Sequence, residues 1–407
     1  MPDLIERYPG LSEVETPAYV YDLDRIGAAH RRLTGALPRP SELYYSLKAN
    51  PHPAVAGALA EAGCTAEVCS PGELRTALEA GYDPARMLYT GPGKRTADIE
   101  TALAAGVRRF SADSPYALDQ LDRVAGARST PVEVLLRVND DSPVPGPGLT
   151  MTGVTSQFGA DAGWIRDEPE RFKSRQWARL TGLHLYMGSN LSGEDELVAQ
   201  FAQAAATART LAAGAGIDLE VLDLGGGFGA PFARGGDLPD YPGLAERTAA
   251  ALDADVPGWR AGRPVVAFES GRYLTATGGT LLTRVLDVKR SQGRTVVVLE
   301  SGINHLGGMS GLRRLPPIVP DVLGGAGTPV PETVIAGPLC SPLDTWARSA
   351  AIGELAPGDL VTVPNVGAYG LYASLLAFLG HPAPIEVVVA GGRITDVSRL
   401  ALRRDRS

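Results

Sequence analysis

Apolar segments of strand length alternate with alanine- and leucine-rich segments over more than half of the chain. The apolar segments predict eight strands, at Leu43–Leu47, Thr65–Cys69, Met87–Thr90, Arg108–Ser111, Val132–Val138, Gly182–Met187, Leu219–Leu224 and Val265–Phe268. Most are separated by segments with helical spacing, at Ala54–Ala62, Glu73–Glu79, Asp98–Ala105, Tyr116–Val124, Glu196–Ala213 and Leu244–Asp253. Eight strand–helix repeats predict a (β/α)8 TIM-type barrel, with a doubly wound open sheet as the structural alternative.

The pattern changes after Leu274, where glycine- and proline-rich turns replace the helical segments. Further strands are predicted at Leu281–Val288, Thr295–Leu299, Thr333–Ile335, Leu360–Val363 and Ile385–Val389. They indicate a mostly antiparallel β domain, β-sandwich or β-barrel-like, which an early strand at Ala18–Asp22 joins before a helix at Asp24–Leu33. We therefore predict a barrel domain at 30–275 and a β domain formed by 1–29 and 276–407. Asp140–Thr155, rich in Pro, Gly and Ser, is predicted to be a long loop at the barrel mouth.

Composition narrows the class of protein. The 407 residues are 44% hydrophobic and 21% charged, as in soluble globular proteins, and a net charge of -8 argues against nucleic acid or an anionic membrane as partner. No apolar run is long enough to span a bilayer, and the N-terminus lacks the regions of a secretion signal, so we expect a cytosolic protein. Three cysteines do not suggest a disulfide framework, and the five histidines show no zinc-ligand spacing, so no structural metal is predicted.

Lys48 ends the first predicted barrel strand, directly before the Asn50-Pro51 turn. The chain has only four lysines, so the placement of one after an apolar strand favours a role beyond solubility. Burial would lower the pKa of this amine and make it a nucleophile towards a carbonyl cofactor. The alternative is a lysine that extends its ammonium group to solvent from a strand end.

The carboxyl ends of barrel strands share one mouth, where functional residues collect. The side chains predicted there include Glu67, Arg137, Tyr186, Ser189, Glu269 and Arg272. The seventh strand runs into Gly225-Gly226-Gly227, whose backbone N–H groups could bind a phosphate. A dinucleotide site is the alternative, but this turn follows strand seven and no acidic residue ends a strand about 20 residues later. A phosphate site together with a reactive lysine indicates pyridoxal 5'-phosphate.

Glu269 bears on the type of reaction. An acidic side chain at the pyridine nitrogen keeps that nitrogen protonated, so the ring can accept the electron pair left by decarboxylation. A racemase typically keeps a less electron-withdrawing ring. The alternative for Glu269 is a simple salt bridge with Arg272.

Six motifs occur in the order found in one enzyme family. They are Tyr44–Pro51, Gly182–Asn190, Asp223–Gly229, Glu269–Arg272, Gly337–Asp344 and Gly367–Gly370. Nearly the whole chain thus resembles the fold-type III, alanine-racemase-like pyridoxal-phosphate decarboxylases, which include diaminopimelate, ornithine and arginine decarboxylases. The resemblance implies a head-to-tail homodimer with active sites at the subunit interface.

The resemblance also implies roles for individual residues. Lys48 would be the Schiff-base lysine, Glu269 the pyridine partner, and Cys340 the residue that reaches the neighbouring subunit's site to protonate the α-carbon. Taken alone, Cys340 would be more typical of an inert buried thiol. The phosphate ligands would be Ser189, Gly226, Gly227, Arg272 and Tyr369, and the further cofactor contacts Glu67, Arg137, His184 and Tyr186.

Departures from the family pattern affect the predicted substrate. The usual His-x-Gly-Ser is Tyr186-Met187-Gly188-Ser189, so either Tyr186 or His184, two residues earlier on the same strand face, could lie against the cofactor. The usual proline of E-P-G-R is Ser270. Ser341 stands where diaminopimelate and ornithine decarboxylases have an acidic residue, so a distal substrate amine would lose its anionic partner.

Cys340–Asp344, with Gly302–His305, is more similar to a specialised branch of siderophore, antibiotic and exopolysaccharide pathways. Those relatives act on amino acids joined to a larger group, such as a citryl group or a carrier protein. The predicted substrate contacts are Arg313, Ser341, Asp344 and Tyr369, although Arg313 and Arg314 are more typical of a solvated charged loop.

We therefore predict decarboxylation of a distally modified amino acid with pyridoxal phosphate. The alternatives are a diaminopimelate decarboxylase of lysine biosynthesis, a non-catalytic regulatory relative of the antizyme-inhibitor type, and an amino-acid racemase.

Overall fold

The computed structural model describes residues 2–141, 149–150, 152–307 and 318–404. The chain divides into two compact units. The barrel unit consists of Ala29–Ala230 and Pro239–Tyr273, and the β unit of the described residues in Met1–Ala28, Pro231–Leu238 and Leu274–Ser407.

The helices and strands follow in chain order. The helices are α1 (Pro2–Arg7), α2 (Leu23–Ala36), α3 (Pro53–Glu61), α4 (Pro71–Glu79), α5 (Thr96–Ala105), α6 (Pro115–Ala127), α7 (Ala162–Asp167), α8 (Glu194–Ala215), α9 (Leu244–Asp255) and α10 (Arg272–Thr275). The strands are β1 (Ala18–Asp22), β2 (Glu42–Ser46), β3 (Thr65–Val68), β4 (Leu88–Tyr89), β5 (Arg109–Ala112), β6 (Val132–Asn139), β7 (Leu149–Thr150), β8 (Ala160–Asp161), β9 (Ala178–His184), β10 (Gly188–Ser189), β11 (Val221–Asp223), β12 (Val265–Ser270), β13 (Gly279–Ser291), β14 (Arg294–Leu299), β15 (Ala326–Ala336), β16 (Thr345–Glu354), β17 (Leu360–Val363), β18 (Ile385–Ala390) and β19 (Arg393–Arg399).

The barrel unit contains a closed parallel sheet. Its strands pair in the order β5-β4-β3-β2-β12-β11-β9-β6, and β6 also pairs with β5, which closes the ring. This confirms the predicted barrel, because a doubly wound sheet would leave two open edges. Buried residues from its strands, among them Tyr44, Leu135 and Ala267, form one core cluster of this unit.

Local sequence explains where the barrel helices begin. α3 and α4 each start with a proline, which suits the first helical turn because its N–H needs no partner there. The Ser70 hydroxyl caps α4 by accepting a hydrogen bond from Glu73 N. Ser70, which follows strand β3, thus serves the helix start.

One predicted barrel strand is displaced. β9 spans Ala178–His184 rather than Gly182–Met187. A Cβ at Gly182 would lie 1.9 Å from Val221 O, so only glycine permits the close packing of β9 against β11 at this position. Tyr186 therefore lies beyond the strand, and the predicted shared strand face of His184 and Tyr186 is wrong.

The β unit is built on a mostly antiparallel sheet. Its strands follow the order β16-β15-β14-β13-β1-β18-β19, with β17 also pairing with β13. Two pairs are parallel, β1 with β18 and β14 with β15. Buried Val20, Leu282 and Val387 belong to its core. None of the described helices is long and apolar enough to cross a membrane.

Candidate active site

Lys48 lies in a single turn of 3-10 helix, Leu47–Ala49, directly after β2. A Cβ at Gly271 would lie 2.6 Å from Ala49 Cβ and 2.9 Å from Ser46 O, so this glycine lets the end of β12 pack against the Lys48 turn. The Lys48 side chain is 41% exposed, which favours the alternative of an amine that extends from the strand end. Its amine stands at the carboxyl end of the strand, where it can reach a ligand.

Glu67 on β3 is the acidic neighbour of Lys48. Lys48 Nζ lies 3.4 Å from Glu67 Oε2, and the Thr90 hydroxyl donates a hydrogen bond to Glu67 Oε1. Parallel pairing of β2 with β3 brings these residues to the same end of the sheet. The carboxylate is buried, so it holds the flexible lysine amine in a restricted region.

Three buried side chains converge at the ends of adjacent strands. Asp223 pairs with His184 in the register of β11 and β9, and Glu269 lies two residues beyond Ala267, the partner of Asp223 on β12. One ligating atom of each side chain lies within 4.8 Å of the others. His184 Nε2 is 3.2 Å from Glu269 Oε1, within ion-pair distance when the ring is protonated.

Burial and charge act in opposite directions on the two carboxyl groups. Burial, followed by repulsion from Glu269, raises the pKa of Asp223 well above its usual value. Burial would also raise the pKa of Glu269, but attraction to His184, Lys48 and Arg137 outweighs it and lowers this pKa to about 2. Glu269 is therefore the ionised member of the pair.

The cluster has hydrogen-bonding capacity to spare. Among the residues that the structure describes, both ring nitrogens of His184, Oδ2 of Asp223 and Oε1 of Glu269 have no hydrogen-bond partner. Each buried unpaired polar group costs about 1–3 kcal/mol, so the cluster is suited to a bound group that satisfies it. The side chains could hold a metal ion, or the protonated ring nitrogen of a cofactor beside Glu269.

The glycine turn after β11 is compact. A Cβ at Gly226 would lie 2.2 Å from Glu269 O, and Gly225 and Gly227 have φ values of +67° and +111°. These constraints require glycine in the turn. Ser189, half-buried on β10, pairs with Leu149 of β7 in a two-stranded ribbon. Arg272 begins α10 directly after β12.

Two further predicted residues flank this region. The buried Arg137 guanidinium lies 4.5 Å from the ring centroid of Phe158. The Lys48 ammonium lies 5.8 Å from the ring centroid of Tyr186, which is half-buried and packs over Gly225. His184 instead faces Glu269, so the two aromatic side chains occupy different positions.

The remaining predicted residues lie in the β unit. Cys340 is exposed on the turn between β15 and β16, so the interpretation as a buried thiol is wrong. Asp344 is buried, and its carboxylate accepts hydrogen bonds from Ile303 N and Leu339 N, each at 2.8 Å. This carboxylate therefore fixes the turn, which does not support the predicted substrate contact. Ser341 Oγ accepts from Leu343 N, and Tyr369 has a left-handed φ of +57°.

Some predicted residues cannot be compared with the structure. Arg313 and Arg314 lie outside the described residues, as does part of the predicted loop Asp140–Thr155.

The structure also adds residues that the sequence did not single out. Asp223 lay within the glycine motif but was given no role. Thr90 ends a predicted barrel strand, and this position at the barrel mouth could have identified it as a site residue. Phe158 and Gln200, which bonds the glycine turn, carried no recognisable pattern in the sequence.

Comparison with known proteins relates this geometry to a function. A family model described as pyridoxal-dependent decarboxylase, pyridoxal binding domain, matches residues 23–276. The chain is similar to the L-glutamyl-[BtrI acyl-carrier protein] decarboxylase of Niallia circulans, at 33% identity over 93% of this chain and 90% of that protein. It is also similar to a diaminopimelate decarboxylase of Zymomonas mobilis, at 29% identity over 93% of this chain and 88% of that protein.

A solved structure shares the fold over almost the full length. Diaminopimelate decarboxylase from Helicobacter pylori, complexed with L-lysine, has a TM-score of 0.83 and 26% identity, with 96% of each chain covered. The unpaired polar atoms around Glu269 and the glycine-lined turn fit the pyridine ring and phosphate of this family's cofactor. The chain thus belongs to the pyridoxal-dependent decarboxylases and is an enzyme that decarboxylates an amino acid with pyridoxal 5'-phosphate.

Proposed function

We propose that this decarboxylase acts on an amino acid whose distal end is joined to a larger group, with glutamate thioester-linked to an acyl-carrier protein as the first candidate. The relative from Niallia circulans is named for that substrate class. A glutamyl thioester or amide carries no distal charge. Its binding site therefore needs no acidic partner for a distal amine.

The observation that carries this proposal is that the turn around Cys340, Gly337–Asp344, offers no carboxylate to pair with a distal amine. Gly337–Asp344 contains one acidic residue, Asp344, and backbone N–H groups occupy its buried carboxylate. Ser341, next to Cys340, presents only a hydroxyl, which already accepts a hydrogen bond from Leu343 N. A distal ammonium group bound beside this turn would leave water without gaining a charged partner, which disfavours free diamino acids.

Different barrel residues are assigned different catalytic roles. We assign covalent attachment of the cofactor to Lys48, contact with its ring nitrogen to Glu269, and cover of one ring face to Tyr186. When bound, pyridoxal phosphate supplies an electron sink for the pair left on the α-carbon as carbon dioxide departs. The low pKa of Glu269 keeps this carboxylate ionised, so it can hold a proton on the ring nitrogen. Glu67 holds the Lys48 amine near that place.

The phosphate contacts remain an assignment supported by local geometry. We assign them to Ser189, Gly226, Gly227, Arg272 and Tyr369, with Arg137 as a neighbouring cation. The N–H groups of Gly226 and Gly227, which donate to no other residue in the described part of the chain, support this assignment. His184, which faces Glu269, is proposed to fix that carboxylate rather than to lie on the ring.

We also propose a head-to-tail homodimer in which Cys340 of one subunit protonates the α-carbon in its partner's barrel. Cys340 is exposed and Leu343, three residues on, is 67% exposed, which suits a turn that is covered on assembly. We propose a barrel domain at 30–275 and a β domain formed by 1–29 and 276–407. A reducing cytosolic location fits the exposed thiols of Cys69 and Cys340.

Diaminopimelate is the second candidate substrate, because the relatives from Zymomonas mobilis and Helicobacter pylori are named for it. The two candidates differ at the distal end, where one is neutral and the other carries an ammonium and a carboxylate. The rates of turnover of the two substrates can therefore distinguish between them.

Carbon dioxide release decides between the candidates. The panel comprises free L-glutamate, a pantetheine thioester of L-glutamate, meso-diaminopimelate, L-ornithine, L-arginine, L-lysine and distally citrylated amino acids. We expect turnover of the thioester or another distally modified substrate and little release from the free amino acids. Rapid turnover of free diaminopimelate would overturn the proposal.

Ser341→Asp tests whether the missing carboxylate at this position disfavours substrates with a distal amine. Adding a carboxylate beside Cys340 should raise kcat/KM for diaminopimelate by about tenfold, because a charge-assisted hydrogen bond becomes possible. Ser341→Ala is the matched control, since it removes the hydroxyl without adding charge. Equal diaminopimelate activity in the two variants would remove the argument from Ser341.

A further inference from the structure

Every carbonyl of the turn Gly225–Gly227 is held by a donor. Gly225 O accepts a hydrogen bond from Glu269 N at 2.7 Å, and Gly227 O accepts one from Leu191 N at 2.8 Å. Among the residues that the structure describes, no backbone N–H donates to Gly226 O. It accepts a 2.7 Å hydrogen bond from the Gln200 side-chain Nε2 on α8.

Holding the carbonyls fixes where the turn's N–H groups point. The peptide bonds here are trans, so each C=O and the N–H of the next residue point in opposite directions. Gln200 draws the Gly226 carbonyl towards α8, so it aims Gly227 N–H away from that helix. Within the described part of the chain, neither Gly226 N–H nor Gly227 N–H donates a hydrogen bond to another residue.

Gln200 is a poor choice for packing alone. Its side chain is 1% exposed, and its Oε1 has no hydrogen-bond partner among the described residues. A buried unpaired amide oxygen is destabilising, and leucine or methionine would fill similar space without it. The hydrogen bond from Nε2 to Gly226 O is therefore the feature that accounts for glutamine at this place.

We propose that Gln200 is a positioning residue that orients the Gly226–Gly227 peptide so that Gly227 N–H binds the cofactor phosphate. The inference rests on the proposed placement of the phosphate at this turn. Gln200 acts through the backbone and does not touch the cofactor. A Cβ at Gly227 would lie 3.2 Å from Gln200 Nε2, so glycine here also permits the close approach of the amide.

Gln200→Met tests this role, because methionine has nearly the same length and no N–H donor. The cofactor-free protein is titrated with pyridoxal 5'-phosphate and with pyridoxal, which lacks the phosphate, and binding is followed by cofactor absorbance. We expect Kd for pyridoxal 5'-phosphate to rise about tenfold, or about 1.4 kcal/mol, and Kd for pyridoxal to stay unchanged. The increase in melting temperature given by inorganic phosphate should shrink in parallel.

Gln203→Met is the matched control, since Gln203 is an exposed glutamine of the same helix whose Nε2 donates a hydrogen bond to Thr207. It should bind both ligands as the unaltered protein does. Gln200→Leu provides a second variant if Gln200→Met fails to fold. If either folded variant keeps the full preference for the phosphorylated ligand, the role of Gln200 is refuted. If the unaltered protein shows no such preference, the phosphate placement itself fails.

Discussion

Each unit buries a glutamate to the same degree, and the two carboxyl groups have opposite protonation behaviour. Glu269 in the barrel unit and Glu386 in the β unit are each 2% exposed. Burial raises the pKa of Glu386 to about 7, although the Tyr372 and Tyr21 hydroxyls donate to its Oε1 at 2.8 Å and 3.1 Å. Glu269 has a pKa near 2, because attraction to His184, Lys48 and Arg137 outweighs its burial.

The contrast shows that neighbours, rather than depth, decide whether a buried acid keeps its charge. Neutral hydroxyls around Glu386 satisfy either protonation state, so this residue can serve as a structural hydrogen-bonding centre. Cationic groups around Glu269 stabilise its ionised form, which a protonated ring nitrogen requires. The charge of Glu269 is thus a property of the site, and changing its neighbours or the residue itself should affect catalysis more than stability.

Lys48→Ala should have the largest effect. It removes both the proposed point of cofactor attachment and one cation that lowers the pKa of Glu269. Decarboxylation should fall by at least about 1,000-fold, and the absorbance band of the covalently bound cofactor should disappear. Lys289→Ala, at an exposed position of β13, is the control and should leave both unchanged. An unaltered cofactor spectrum in Lys48→Ala would contradict the assignment.

Glu269→Gln should have the next largest effect and tests the comparison directly. The amide keeps the shape of the side chain but cannot hold a proton on the ring nitrogen by its charge. Decarboxylation should fall by about 100-fold while the cofactor stays bound, as judged by its absorbance. Glu386→Gln is the matched control, because it makes the same change in the β unit and should retain activity within about twofold. Equal losses in the two variants would mean that the charge of Glu269 has no special role.

The sequence predicted much of the fold because the barrel repeats a simple pattern. Buried strands alternate with amphipathic helices, and each repeat could be recognised locally. Two strands of the β unit, β16 and β19, were missed. β16 is rich in alanine and polar residues, and every residue of β19 is exposed, so neither shows the apolar alternation of a half-buried strand.

The candidate site was only partly predictable. Lys48 and Glu269 follow apolar strands, so their position at the barrel mouth could be inferred from order alone. The pairing of His184 with Glu269 and the bond from Gln200 to Gly226 depend on register and helix packing between distant segments, which a single sequence does not encode in local patterns. Asp344 was misjudged because its hydrogen bonds are made to backbone N–H groups of two separate segments.

The smallest expected effect is on stability, and it follows from the raised pKa of Glu386. The folded state binds more protons than the unfolded state between the ordinary value of 4.5 and the folded value of about 7. The resulting stabilisation is present below that window and is lost as the pH rises through it, by up to about 3 kcal/mol. Glu386→Gln lacks this titration. From about pH 5 to about pH 8, the melting temperature should therefore fall about 5 °C further in the unaltered protein than in the variant. Parallel curves for the unaltered protein and Glu386→Gln would show that the two buried glutamates do not differ in the way their neighbours indicate.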